Sequence, residues 1–176
     1  MERTEKPLRA DEATSLRAFL DHHRDTFRWK CEGLTQEQLA QPLAPSEMTL
    51  GGMIKHLAVV EQSWFEDDFL GLGLMPPYDA VDWDADEDWE WHTAKDDTPE
   101  ELFALLDEAR RRSDAVLDQA LAPGGVGLDG LSFSEHPDGR GRFSLRWIIL
   151  HMIEEYARHN GHADLLRERI DGRVGQ

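Results

Sequence analysis

The chain contains a single cysteine, Cys31, among its 176 residues. No disulfide can therefore form within the chain, which fits a reducing compartment. A lone cysteine can also be a nucleophile. However, Cys31 follows Trp29 and Lys30 at the predicted end of a helix, with no obvious base nearby in sequence. We interpret it as a plain, partly buried thiol.

Positive charge is scarce. The 19 Lys and Arg residues stand against 36 Asp and Glu residues, which gives a formal net charge of −17. A surface of this sign repels phosphate backbones and anionic bilayers, so the composition argues against nucleic-acid and membrane partners. The acidity otherwise predicts a well-solvated surface.

Long apolar runs are also missing. No segment approaches the roughly 20 apolar residues of a membrane span, and the N-terminal "MERTEKPLRADEA" lacks the apolar core of a signal peptide. These two absences predict a cytoplasmic protein. Hydrophobic residues still make up 40% of the chain, which is enough for one core, so we expect a single domain over residues 1–176.

Helical periodicity is present in four segments. The first runs from about Glu12 to Lys30, and a short turn or helix follows near residues 35–41. The others open on N-caps at Thr49, Thr98 and Ser144 and end near Gly71, Ala120 and Asp171. "TPEE" adds a capping box to the third helix, and Gly172 is a plausible stop for the fourth. The sequence thus predicts an all-α four-helix bundle with long connections between helices 2 and 3 and between helices 3 and 4.

The two long connections differ in character. Residues 71–97 are acidic and carry Trp83, Trp89 and Trp91, which indicates either a binding edge or lid, or aromatic anchors that tie the loop to the bundle. Residues 122–143 are rich in glycine and could hold a short hairpin, although they show no firm strand signal.

Four titratable residues share one face of the last helix. At about 100° per residue, His151, Glu155, His159 and His162 fall within roughly 80° of one another, among apolar neighbours that predict burial. Unpaired, these groups would be costly to bury. A hydrogen-bonded network, metal-free acid–base catalysis, or a divalent cation held by an i, i+4 pair would each satisfy them. His56, one turn after Gly52 on the apolar face of the second helix, is a candidate third ligand. Spacing alone leaves the choice of pair open.

"LGGMIKHLAVVEQSWF" followed by "LRWIILHMIEEYARHNGHADLLRERIDG" resembles the DinB-like four-helix-bundle superfamily, in the actinobacterial branch related to mycothiol-dependent maleylpyruvate isomerase and mycothiol S-transferases. The resemblance implies a divalent metal, usually zinc or nickel, with one ligand from the second helix and two from the last. Carried over to this chain, the ligands are His56, Glu155 and His159. Many members have histidine where this chain has Glu155, and the His, Glu, His set is similar to that of the maleylpyruvate isomerase type.

The resemblance further implies a thiol transferase or isomerase that uses mycothiol, or a similar small thiol, as a metal-bound thiolate against an electrophile. His162 becomes the candidate proton-transfer residue, while His151 is interpreted as a core residue and Arg158 as a surface residue. Two alternatives stay open: a metal-dependent hydrolase using metal-bound water, and a non-catalytic metal-binding bundle. Either a monomer or a homodimer is compatible with the sequence.

Overall fold

The computed structural model of the protein describes residues 3–175, and four long helices dominate it. These are α1 (Glu12–Cys31), α3 (Leu50–Gln62), α5 (Pro99–Leu121) and α6 (Leu145–Asp171). Helix α1 packs along α6, and α3 packs along α5. The predicted all-α bundle is confirmed. Among residues 3–175, every helix lacks the apolar length that a bilayer crossing requires.

Polar caps define the helix ends. The hydroxyls of Thr49, Thr98 and Ser144 each accept a hydrogen bond from the backbone N–H three residues on. Thr98 and Glu101 form the predicted capping box. Helix α6 ends on Gly172, whose φ of 77° is left-handed and therefore favours glycine. These local signals explain why the predicted helix starts are confirmed.

The second long helix does not remain an α-helix to Gly71, as the sequence predicts. It passes at Ser63 into a π-helix, Ser63–Phe69. The wider turn shifts the register of the following side chains. Phe65 and Phe69 stay in the core, while the ring of Trp64 lies against Trp147 of α6.

The two connections contain short elements. The first includes 3₁₀ turns at Tyr78–Ala80 and Ala94–Asp96 and the helix α4 (Trp89–Thr93); α2 (Gln36–Leu39) precedes α3. The second contains an antiparallel hairpin of β1 (Leu131–Glu135) and β2 (Arg142–Ser144). Leu131 pairs with Ser144 and Glu135 with Arg142, with an irregularity between them. The hairpin packs on the π-helix, where the ring of Phe133 lies over Gly71.

A buried ionic network joins all four long helices. Glu61 is completely buried and receives a two-pronged hydrogen bond from the Arg24 guanidinium, at 2.7 and 2.6 Å. The hydroxyls of Ser113 and Tyr156 also donate to this carboxylate. Burial opposes ionisation of Glu61, but Arg24 and the hydrogen bonds hold its pKa below the ordinary value. Both oxygens of the buried charge are therefore satisfied.

The single cysteine lies in the core. Cys31 is completely inaccessible to solvent, and burial raises the pKa of its thiol to about 12. The sequence predicts only partial burial, and the docking of α1 against α6 accounts for the difference.

Candidate metal centre

Two helices bring three potential ligands together. His56 comes from α3, whereas Glu155 and His159 lie one turn apart on α6. One ligand atom from each residue lies within 4.8 Å of the others. The Nε2 atom of His159 is 3.6 Å from Glu155 Oε2, and the rings of His56 and His159 have centroids 5.1 Å apart. The i, i+4 spacing aligns the α6 pair, and the packing of α3 on α6 supplies the third residue.

The environment of His159 keeps its imidazole neutral. The residue is 5% exposed, and its Nδ1 is buried without a hydrogen-bond partner. Burial, together with the neighbouring imidazoles of His56 and His162, lowers the pKa of His159 to about 4. A neutral imidazole retains a lone pair at neutral pH, which is the form that binds metals.

Glu90 of α4 orients His56. Its Oε1 atom lies 2.9 Å from His56 Nδ1, and Glu90 is 5% exposed. With Nδ1 bonded to this carboxylate, the other ring nitrogen of His56, Nε2, is left for a ligand. Glu90 is not predicted from the sequence, because it lies among many acidic residues in a connection with no clear periodicity. Its position between Trp89 and Trp91 is the one available signal.

Trp91 closes the cluster from the side of α4. Its ring centroid is 5.0 Å from that of His56 and 6.1 Å from that of His159. A Cβ at Gly52 would lie 2.5 Å from an atom of the Trp91 ring. The missing side chain at Gly52 therefore makes room for the Trp91 ring beside His56. Trp89 packs on Tyr78 and beneath the Lys55 ammonium group, so it also anchors the connection.

The other candidate residues surround this cluster without joining it. The ring of His162 is 5.6 Å from that of His159, and its Nδ1 is buried without a partner. His151 Nε2 lies 3.9 Å from Glu155 Oε1, with its ring stacked on Trp147. Arg158 is largely exposed and donates to Glu155 Oε1 at 3.2 Å. Arg158 is thus on the surface, as predicted, but its charge lies beside the candidate ligands.

The donor set fits a catalytic divalent site. Two imidazole nitrogens and one carboxylate match the protein ligands of several catalytic zinc centres, in which a fourth position remains open. Within residues 3–175, this is the one group of three or more His, Cys, Asp or Glu side chains whose geometry would suit a metal ion. One buried atom of the cluster, Nδ1 of His159, has no hydrogen-bond partner, and a cation held by the three residues would also balance the charge of the Glu155 carboxylate.

Comparison with known proteins adds one match. A family model described as "MST: Mycothiol-S-transferase" matches residues 15–172, which is nearly the whole chain. No curated protein matches this chain.

Proposed function

Because this chain belongs to the mycothiol S-transferase family, we propose that it is a metal-dependent enzyme that bonds the sulfur of intact mycothiol to a carbon of an electrophile. His56, Glu155 and His159 hold a divalent cation, zinc in the first instance. The observation that carries the proposal is the convergence of these three side chains within 4.8 Å from two different helices.

A divalent cation bound there would supply Lewis acidity, which lowers the pKa of a thiol and raises the thiolate fraction at neutral pH. The carboxylate of Glu155 offsets part of the cation's charge. Glu90 fixes the His56 ring, so that the same nitrogen always faces the ligand set. The indole of Trp91 packs beside the two imidazoles, while the His56 side chain stays 23% exposed.

His162 receives the proton in this proposal. It lies next to His159, and it lines a cavity of about 230 Å³ together with Leu165 and Leu166. A sulfur–carbon bond forms as the carbon–leaving-group bond breaks, and the leaving group departs with the bonding electron pair. The thiol proton passes to the His162 imidazole and from there to solvent.

A conjugation assay tests the proposal. Purified protein is incubated with mycothiol and a bimane or chlorodinitrobenzene electrophile, with zinc and after chelation. We expect product only when both thiol and metal are present, and about one divalent ion per chain by elemental analysis. Turnover of an ester or amide without thiol would instead identify a metal-dependent hydrolase.

A matched pair of variants addresses the site itself. Glu155 and Glu154 are adjacent on α6, but Glu155 belongs to the cluster and Glu154 is exposed. Glu155→Gln should lose metal and activity, whereas Glu154→Gln should keep both. Equal metal content and equal activity of the two variants would contradict the assignment of Glu155 as a metal ligand.

A further inference from the structure

A cavity of about 550 Å³ lies between residues 40–49 and α4, next to the candidate metal centre. Its lining is mixed: Ala40, Pro42 and Met48 contribute apolar surface beside the ring of Trp91, and the polar side chains include Glu47, Asp88 and Lys95. A volume of this size accommodates a ligand of two small rings. The proposed chemistry at the metal uses no residue of this cavity except Trp91.

Trp91 connects the cavity to the metal centre. The same indole that lines the cavity has its ring centroid 5.0 Å from that of His56. A molecule seated in the cavity is therefore separated from the candidate ligands by the thickness of one side chain. A short arm that passes the edge of Trp91 would bring a sulfur atom to the cluster.

The carboxylates in the lining are available to a ligand. Asp88 occupies the N-cap position of α4, yet its side chain makes no capping hydrogen bond. Glu47 and Asp88 are both exposed. Carboxylates accept hydrogen bonds from hydroxyl groups, and an indole offers a flat apolar surface to the C–H face of a saturated ring. This combination suits a polyhydroxylated ring compound.

A second cleft, of about 270 Å³, lies between the hairpin and α6. Its lining combines the aromatic rings of Trp147, 42% exposed, and Phe143, whose centroids are 4.6 Å apart, with the polar side chains of Arg140 and Arg142. This aromatic cleft shares no residue with the cavity between residues 40–49 and α4, so a substitution in it serves as a control.

We propose that the cavity between residues 40–49 and α4 binds the sugar–inositol part of the thiol cosubstrate, with Glu47 and Asp88 as acceptors for its hydroxyls. The inference rests on the proposed function, because mycothiol carries its cysteine on a glucosaminyl-inositol body. Binding energy from this non-reacting part would position the cysteine sulfur at the metal centre.

The direct test uses glucosaminyl-inositol without the cysteine, titrated calorimetrically into the zinc-loaded protein. We expect binding to the unaltered protein and about tenfold weaker binding to Asp88→Ala and to Glu47→Ala, the loss typical of a hydrogen bond to a charged group. Arg140→Ala, in the aromatic cleft, is the matched control and should bind as tightly as the unaltered protein. Thermal melts establish that all three variants are folded.

A kinetic arm separates this inference from the proposed function. With one electrophile, the ratio of KM for mycothiol to KM for N-acetylcysteine should rise about tenfold in Asp88→Ala. The cavity assignment would be overturned if Asp88→Ala kept transfer activity with an unchanged KM ratio, or if glucosaminyl-inositol did not bind to the unaltered protein. Neither result would contradict the proposed transferase function. Binding that depends on Asp88, without any transfer, would support the cavity while refuting the proposed function.

Discussion

At the scale of single residues, one carboxylate decides which nitrogen of His56 faces the ligand cluster. Glu90 is buried, and its Oε1 bonds the His56 Nδ1 atom at 2.9 Å, while its Oε2 is buried without a partner. A buried charge with a free oxygen is costly unless a neighbouring charge balances it. A cation at the cluster would supply that balance through the His56 ring, as carboxylate–histidine–metal triads do.

Glu90→Gln keeps the size of the side chain and removes its charge. We expect the dissociation constant for zinc to rise by about tenfold or more, because the loss of such a partner typically costs about 10–100-fold in affinity. Competition against a chromophoric chelator measures this constant directly. Glu87→Gln, an exposed change in the same connection, is the control. If Glu90→Gln bound zinc as tightly as Glu87→Gln, Glu90 would have no role in orienting His56.

At the scale of the elements, much of the bundle follows from local sequence. The caps at Thr49, Thr98 and Ser144 and the stop at Gly172 depend on a few neighbouring residues, so the sequence alone predicts them. The same periodicity places His159 and Glu155 on a buried face.

Elements that depend on distant contacts are harder to predict. Helix α4 has five residues and lies in an acidic connection, and it is held by Trp91 against Gly52 and by Glu90 against His56. No periodic pattern is possible over so short a length. The π-helix and the hairpin likewise depend on aromatic contacts between segments far apart in sequence, such as the one between Trp64 and Phe143.

Two helical glycines allow a test of the packing between α3 and α4. Gly52→Ala should lower the free energy of unfolding by about 1 kcal/mol or more, because the added methyl group displaces Trp91. Gly161→Ala on α6 meets no atom within 4 Å and should raise it by about 0.5–1 kcal/mol through helix propensity. Urea unfolding measures both. A stabilising Gly52→Ala would mean that Trp91 does not depend on the missing side chain.

The buried Glu61 network predicts a specific acid sensitivity. Its pKa is lower in the folded state than the ordinary 4.5. The stabilisation is therefore present above the unfolded pKa and is lost as the pH falls through the lower, folded value.

Glu61→Gln leaves the Arg24 guanidinium buried without its counter-charge, and we expect a loss of about 3–5 kcal/mol at pH 7. The difference from the unaltered protein should narrow as the pH falls below the ordinary pKa of 4.5 towards the lower, folded pKa of Glu61, because the unfolded chain then takes up a proton before the folded chain does. Urea unfolding at pH 7 and pH 3 tests this. Glu108→Gln, in an exposed ion pair with Arg111, should cost far less. If the difference in unfolding free energy between Glu61→Gln and the unaltered protein is the same at pH 7 and pH 3, the pKa of Glu61 is not lowered by folding.

At the scale of the whole molecule, the candidate metal centre joins helices that are far apart in sequence. His56 on α3 and the pair on α6 are held by packing of the same bundle. A ligand that binds only the folded state adds about 2.7 kcal/mol when its concentration is a hundred times its dissociation constant. For a chain of this length, such a gain corresponds to an increase in Tm of about 5–10 °C.

Zinc should therefore raise the Tm of the chelated protein by about 5–10 °C, measured by differential scanning calorimetry. His159→Ala should abolish the increase, because it removes one of the three ligands. His136→Ala, in the hairpin region and outside the cluster, should keep the increase in full. An equal rise in all three proteins would point to zinc binding elsewhere on the acidic surface.

The buried position of Cys31 has a consequence under the proposed function. Its sulfhydryl is out of contact with solvent and stays protonated at neutral pH, and the protonated form is a poor nucleophile. An electrophile bound at the candidate metal centre is therefore expected to react with the thiol of the cosubstrate and not with Cys31. Burial of Cys31 thus protects the protein's one thiol from covalent modification by the electrophile.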